Sequence, residues 1–449
     1  MKKNSTVKQS PKRAIARKEG PITIGMDLGD ESSRYCVLDD QGEIVREASV
    51  ATTKKAMLQT FGGMKRCRIA IEVGTHSAWV SRRLNSLGHE VIVANARQVK
   101  LISASSRKDD RLDARTLARL ARADPQLLRP IRHRSEKAQG HLMLIRVRAA
   151  LVEARTSLVN TARGLAKATG ERLVKCDTDQ LRVERMEGLP VELREALEPL
   201  LKEVESLTEK IQESDIKIEQ IARTKYPETK LLQQVKGVGT LIALTFVLTI
   251  EDRDRFQKSR DVGCYVGLRP KRSESGQSQP QLRITKEGDI YLRKLLVQGA
   301  HCILSRRGPD TDLKRWGLSL AAHGGKNAKK RAIVAVARKL AVLLHRLWVT
   351  GEVYEPLRNA QMRERAGLRG KFCSESPSSG DCECAAERAF PETGATQFGT
   401  EMAAPDLRLR TPTGTGADSF TKSANGSRAK SAVVKLGRTP GASRWITNG

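Results

Sequence analysis

The chain has 449 residues, enough for two or three domains, each with its own core. Its 81 Lys and Arg against 51 Asp and Glu leave a net charge of +30 spread along the chain, which favours a polyanionic partner, nucleic acid above all. With 39% hydrophobic residues in patterned stretches it is no short ribosomal or chromosomal packing protein, and no apolar run is long enough to span a membrane.

Residues 1–20 form a basic leader without the apolar core of a signal peptide, expected to be disordered. Residues 22–50 read as three strands, ITIGMDLG, SRYCVLDD and EIVREASV, with Gln41-Gly42 turning the second into the third, the spacing of an antiparallel meander. A helix near 53–63, the apolar run CRIAIEV (67–73), a helix over 76–88, a strand EVIVAN (90–95) and a helix carrying RKDDRLDARTLARL follow. Three hairpin strands continued by alternating helices and strands predict an α/β sheet of the ribonuclease-H type over 21–136.

From 137 to 227 the pattern changes to long helices. Leu200, Val204, Leu207, Ile211, Ser214, Ile218 and Ile221 alternate four and three apart, the seam of a coiled-coil hairpin or a dimer contact, or of a helix packed within its own domain. Arg148, Arg155 and Arg163 share one helix face, either solvated or turned to nucleic acid. The third region, 228–355, begins with LLQQVKGVGTLIALTFV, two apolar helices joined through Gly237-Val238-Gly239. This is a helix-hairpin-helix pattern, in which Lys236, Gly237 and Gly239 would approach a DNA phosphate. A polar loop over 269–283, the segment ITKEGDIYLRKLLVQGA and a last amphipathic helix over 329–348 complete it, and the tail over 356–449 is expected to be disordered.

The eight cysteines are scattered and mostly apolar in context, which suits reduced, cytoplasmic thiols. Cys373, Cys382 and Cys384 amount to half a zinc site that no second pair completes.

The acids carry the chemistry. Asp27 ends the first strand and Glu72 the fourth, and in a ribonuclease-H sheet those strands are neighbours. Asp110 and Asp113, three apart, share one helix face, whereas Asp109 is one residue off it. Four converging carboxylates need cations between them, and oxygen ligands suit Mg²⁺, two ions of which serve phosphodiester cleavage. The polar loop holds Ser273, Ser275 and Ser278 among cations including Lys271 and Lys286, where a hydroxyl could attack a phosphodiester. The first strand pair also resembles the phosphate loop of actin-like sugar kinases, but the second phosphate motif and the Gly-Gly adenosine motif of that fold are missing.

On GMDLG, IAIEVGTHSAW, KDDRLDARTLARL, VKGVGTLIA, YVGLRP and ITKEGDIYLRKLLVQGA, in that order over roughly 22–350, the chain resembles the DEDD-type insertion-sequence transposases of the IS-one-ten family. The resemblance implies a RuvC-like domain holding Asp27, Glu72, Asp110 and Asp113 on Mg²⁺, a helical coiled-coil linker, and a transposase domain with Ser275 as nucleophile. It also implies donor and target DNA bridged by a structured non-coding RNA, and a homo-oligomer in which acids and serine meet. The family's usual pair of serines before the loop glycine is Glu274-Ser275 here. Arg148, Arg155, Lys236, Lys271 and Lys286 are the expected supporting nucleic-acid contacts. Two rival readings are a RuvC-like junction resolvase without serine chemistry and a non-catalytic nucleic-acid scaffold in which the helix-hairpin-helix and the coiled coil do all the work.

Overall fold

The computed structural model describes residues 22–95, 110–280 and 282–358. The leader, Asp109, the tail beyond 358 and its three cysteines lie outside the described residues. The first strands are β1 (Thr23–Asp27), β2 (Ser32–Leu38) and β3 (Ile44–Ala51), followed by α1 (Lys54–Phe61). Then come β4 (Arg68–Glu72), α2 (Ser77–Ser86), β5 (Glu90–Ala94) and α3 (Asp110–Ala123). The sheet order is β3-β2-β1-β4-β5, with β3-β2-β1 antiparallel and β1-β4-β5 parallel. It is a mixed α/β sheet compatible with the expected ribonuclease-H type.

Period-two alternation splits the sheet residues between two faces. Ile24, Met26, Ile69 and Ile71 face α1 and α2, where Met57, Phe61, Val80 and Leu84 complete a fully buried cluster. Gly25 and Ala70 face the other way, toward α3, which buries Ala114, Leu117, Ala118 and Ala121. A methyl group on Gly25 would lie 2.2 Å from the Ala114 carbonyl oxygen and 2.3 Å from the Ala118 nitrogen. Helix backbone therefore rests directly on strand backbone.

The chain then runs into two long helices, α4 (Glu136–Ala168) and α5 (Val191–Lys225). Arg148 meets Asp215, and Arg155, seven residues on, meets Thr208, seven residues back, so the helices are antiparallel. Five of the seven expected seam positions, Val204, Leu207, Ile211, Ser214 and Ile218, are buried. Of the row of arginines expected on one face, solvated or turned to nucleic acid, Arg148 and Arg155 instead meet the partner helix, whereas Arg163 reaches the loop after α4. Arg148 Nε donates to Asp215 Oδ1 at 2.8 Å and Nη2 to Oδ2 at 3.0 Å. Arg155 is 9% exposed, bonded to Thr208. A helix face looks alike in sequence whether it is turned to water or to a partner helix.

The remaining helices share a second core: α6 (Thr229–Leu232), α7 (Thr240–Ile250), α8 (Arg260–Tyr265), α9 (Ile290–Leu304), α10 (Asp312–Ala322) and α11 (Ala328–Thr350). At its centre lies α7, buried continuously from Ile242 to Ile250. The expected helix-hairpin-helix differs in that its first helix, α6, is a single turn. The turn at Gly237 has φ +94° and packs on α9, with the Gly299 carbonyl oxygen 3.2 Å from where a Cβ would stand. That glycine serves a close helix approach within the protein. Ala138, Leu142 and Ile145 of α4 and Ile218 and Ala222 of α5 seat the base of the long hairpin against Leu244 and Leu248 of α7. None of the described helices is long and apolar enough to cross a membrane.

Two outcomes follow. Gly25→Ala must drive α3 off the sheet, which overpacking at backbone makes a loss of at least about 2 kcal/mol. Thermal unfolding of the variant measures it, and an unchanged midpoint would mean that α3 does not rest on β1. His133, between the sheet domain and α4, has its Nε2 buried without a hydrogen-bond partner among the described residues. Burial, then the nearby Arg82 and Arg134 guanidiniums, pull this imidazole from 6.5 down to about 4. Between those values only the unfolded chain takes the extra proton, so the stability supplied by neutral His133 is complete above pH 6.5 and is lost as pH falls toward 4. His133→Gln should flatten the rise of the denaturation midpoint with pH across that window. His141 and His345, which burial also lowers, contribute to the slope that remains.

Candidate active site

Met26 pairs with Ile71 in parallel register, so the next residues, Asp27 and Glu72, end adjacent strands side by side. Both are two residues beyond Gly25 and Ala70 and so fall on the face that α3 covers. The direction of α3 follows from its contacts. Arg68, at the start of β4, donates to the Ala121 carbonyl near the helix C-terminus at 3.2 Å. Ala114 lies over Gly25, nearer the strand ends. The α3 N-terminus, with Asp110 and Asp113 in its first turn, therefore lies toward the sheet end that carries Asp27 and Glu72. There the positive end of the helix dipole favours carboxylates.

Cations surround this end. Arg34 is the register partner of Asp27 across β1 and β2. With Arg111, Tyr35 and Glu47 it lines a cavity of about 190 Å³. Arg115 holds Glu47 in a two-pronged pair, Nη2 to Oε2 at 2.8 Å, and that hydrogen bond is the main reason the Glu47 carboxyl is pushed below its usual value. Asp27, Glu72, Arg111 and Asp113 all have interaction partners. Among the described residues, no three acid, histidine or cysteine side chains are gathered as a metal cage. The donor set is nonetheless all carboxylate, a hard oxygen set that fits a divalent cation such as Mg²⁺.

One neighbour escaped the sequence reading. His76 precedes α2, just after β4. Its Nδ1 accepts from Trp79 Nε1 at 3.1 Å, which leaves the proton of the neutral ring on Nε2, 3.0 Å from Asp30 in the loop after β1. The quoted stretch IAIEVGTHSAW held both residues, but nothing in it showed that they would meet Asp30.

Ser275 stands on the other core's territory. Residues 269–280 and 282–285 form a hairpin, closed by Lys271 N to Arg283 O and Thr285 N to Arg269 O, both 2.9 Å. At its tip Ser275 and Ser278 exchange backbone hydrogen bonds of 3.3 and 3.0 Å around Gly276, at φ +55°. Ser273, Ser275, Ser278 and Lys271 are all exposed, as is Lys286 at φ +59°. The stem is held hard. Cβ atoms at Gly267 and Gly288 would lie 2.2 Å from Glu287 O and 2.0 Å from Tyr265 O. Arg293 Nη1 donates to Val266 O and Glu287 O at 3.0 and 2.7 Å. Asp289 caps α9 through Leu292 N at 2.9 Å. Its other oxygen is paired with Arg134, 3.5 Å away, and with Arg146 of α4. Sequence reasoning missed Asp289 and Arg293, although an Asp before an apolar helix is the ordinary sign of a cap. Of the remaining candidates, Lys236 and Gly239 are exposed beside the α6–α7 turn.

The two halves are matched separately by known proteins. Residues 24–170 match the DEDD-type IS110 model described as Transposase, and residues 229–314 match the model described as Transposase IS116/IS110/IS902 family. The chain is 28% identical over 341 residues to the transposase for insertion sequence element IS1111A of Coxiella burnetii, covering 74% of this chain and 90% of that one. It is 26% identical over 290 residues to the transposase for insertion sequence element IS1328 of Yersinia enterocolitica, covering 63% and 84%. A Sinorhizobium fredii protein named as a transposase is 30% identical over 310 residues, covering 67% of this chain and 78% of its own length. With both halves matched in chain order, the chain belongs to the IS116/IS110/IS902 family of insertion-sequence transposases.

Proposed function

We propose that this transposase cuts and rejoins DNA strands at a composite site made of the acids Asp27, Glu72, Asp110 and Asp113 and the hydroxyl of Ser275, guided by a structured RNA that bridges donor and target DNA. The observation that supports the reading is that Asp27 and Glu72 end adjacent strands at the sheet end toward which the N-terminus of α3, with Asp110 and Asp113, is directed. Asp27, Glu72, Asp110 and Asp113 would hold a divalent cation such as Mg²⁺, which when bound would supply charge neutralisation at the phosphodiester.

Ser275 acts as the nucleophile. Its Oγ forms an ester to phosphorus while the bond to a deoxyribose oxygen breaks, and that oxygen leaves with a proton. Attack by a deoxyribose hydroxyl of the other DNA then breaks the serine ester and rejoins the strands. Lys271 and Lys286 offset charge on the phosphate during both steps. An exposed, stiffly rooted serine arm on a core separate from the acids suits delivery to the acids of another copy, which makes the working form a homo-oligomer.

Recombination between a donor and a target plasmid tests the parts. Asp27→Asn and Glu72→Gln should each lower the yield more than about a hundredfold, beyond the usual effect of losing a residue behind a metal ligand. Chelation should stop the reaction and Mg²⁺ restore it. Ser275→Ala should abolish joining, whereas Ser273→Ala should leave most of it. Normal recombination by Ser275→Ala would overturn the serine step and favour a resolvase. Protein reproducibly purified free of RNA yet active would overturn guidance.

A further inference from the structure

The long hairpin ends, far from its seat on α7, in a cavity of about 640 Å³. Arg163 and Lys167 enter it from the last turns of α4, and Arg172 and Lys175 from the loop that follows. Asp177 is the one acid lining it. The loop is tied across the helix end by Arg163 Nη2, which donates to the Cys176 carbonyl at 2.6 Å. Among the described residues none of these four cations has an ion-pair partner, whereas Arg148 on the same helix face is paired with Asp215.

The α4 C-terminus accounts for part of this charge, since its last carbonyls attract a cation such as Lys167. It does not account for Arg172 and Lys175, which lie beyond the helix and are exposed. Four like charges around one cavity repel each other unless an anion joins them. No aromatic side chain lines the cavity. It therefore lacks the stacking surface by which unpaired bases are gripped, and offers only what a phosphate backbone recognises.

We propose that the hairpin tip is a phosphate-binding site for duplex DNA flanking the reaction centre. This goes beyond the acid and serine chemistry and does not depend on it, resting only on the action of the chain on DNA. From Ile145, the last α4 residue of the base cluster, to Ala168 the helix extends about 35 Å at 1.5 Å per residue. That is about ten base pairs of duplex at 3.4 Å each. The contact is sequence-independent and salt-sensitive.

The test uses the full chain and fluorescence anisotropy across a salt series. One duplex is long enough to reach the tip, a second is about ten base pairs shorter on that side, and a third probe is a structured RNA. The variant Arg172→Ala/Lys175→Ala removes two side chains that make no hydrogen bond among the described residues. The control Lys210→Ala/Lys217→Ala removes two exposed charges elsewhere on the same hairpin. The tip variant should weaken binding of the long duplex about tenfold near 0.1 M salt and cut the log–log salt slope by about 1.8, for two lost phosphate contacts. The short duplex and the RNA should be unaffected and the control should lose less. Hydroxyl-radical footprinting of the unaltered protein should show a protected patch about ten base pairs outside the central one. An unchanged long-duplex affinity, an equal loss in the control, a loss confined to RNA, or a footprint without the outer patch would each overturn the proposal.

Discussion

The contact of α3 with the sheet is the constraint on which the active-site reading depends. Gly25 has no Cβ, and Ala70 on the neighbouring strand has only a methyl group, so the backbone of α3 settles at van der Waals distance from β1. Direction and register follow from that seat. With Ala114 over Gly25 and Ala121 bonded to Arg68, the acidic first turn of α3 can only be at the end where β1 and β4 finish. The positive end of the helix dipole favours carboxylates at that first turn, and Arg34 stands in register opposite Asp27.

The same economy of position governs the second half. The serine hairpin is exposed at its tip but rooted by crossings so close that Gly267 and Gly288 are required, both in the left-handed region. Arg293 holds the stem carbonyls, and Asp289, directly after the stem, is gripped by Arg134 and by Arg146 from the long helix. A displacement of α4 would therefore be felt at the root of the hairpin. The base of the long helix is thus tied to the residue that follows the serine hairpin.

How much of this the sequence disclosed depended on whether the signal was local. The five strands, the helix after the third and the α3 acids were legible because alternation, turn residues and element ends lie within a few residues of each other. Asp27 and Glu72 could be paired in advance because a three-strand meander followed by a crossover leaves few places for the fourth strand. The inward turn of Arg148 and Arg155 was hidden. Their spacing is the same on a wet face and in a seam, and only Asp215 and Thr208, more than fifty residues away in sequence, decide between them. Gly237 shows a related limit of local signals. Glycine signals close approach but does not say to what, and one neighbour here is Gly299 of α9.

The arginines of α4 differ from base to tip in what compensates them. Arg146 and Arg148, near the base, are matched by carboxylates of other elements, Asp289 and Asp215, and so are committed to holding the hairpin together and to its root. Arg155, in mid-helix, is buried with a single hydroxyl partner and an Nε that none of the described residues satisfies. Arg163, at the tip, has only a carbonyl and stands among three further cations. On this face of α4 the arginines thus pass from ion pairs at the base to a lone carbonyl contact at the tip, while α5 keeps an ion pair of its own between Lys202 and Glu198. An arm that lies along a polyanion would place its free charge where its length gives the greatest reach.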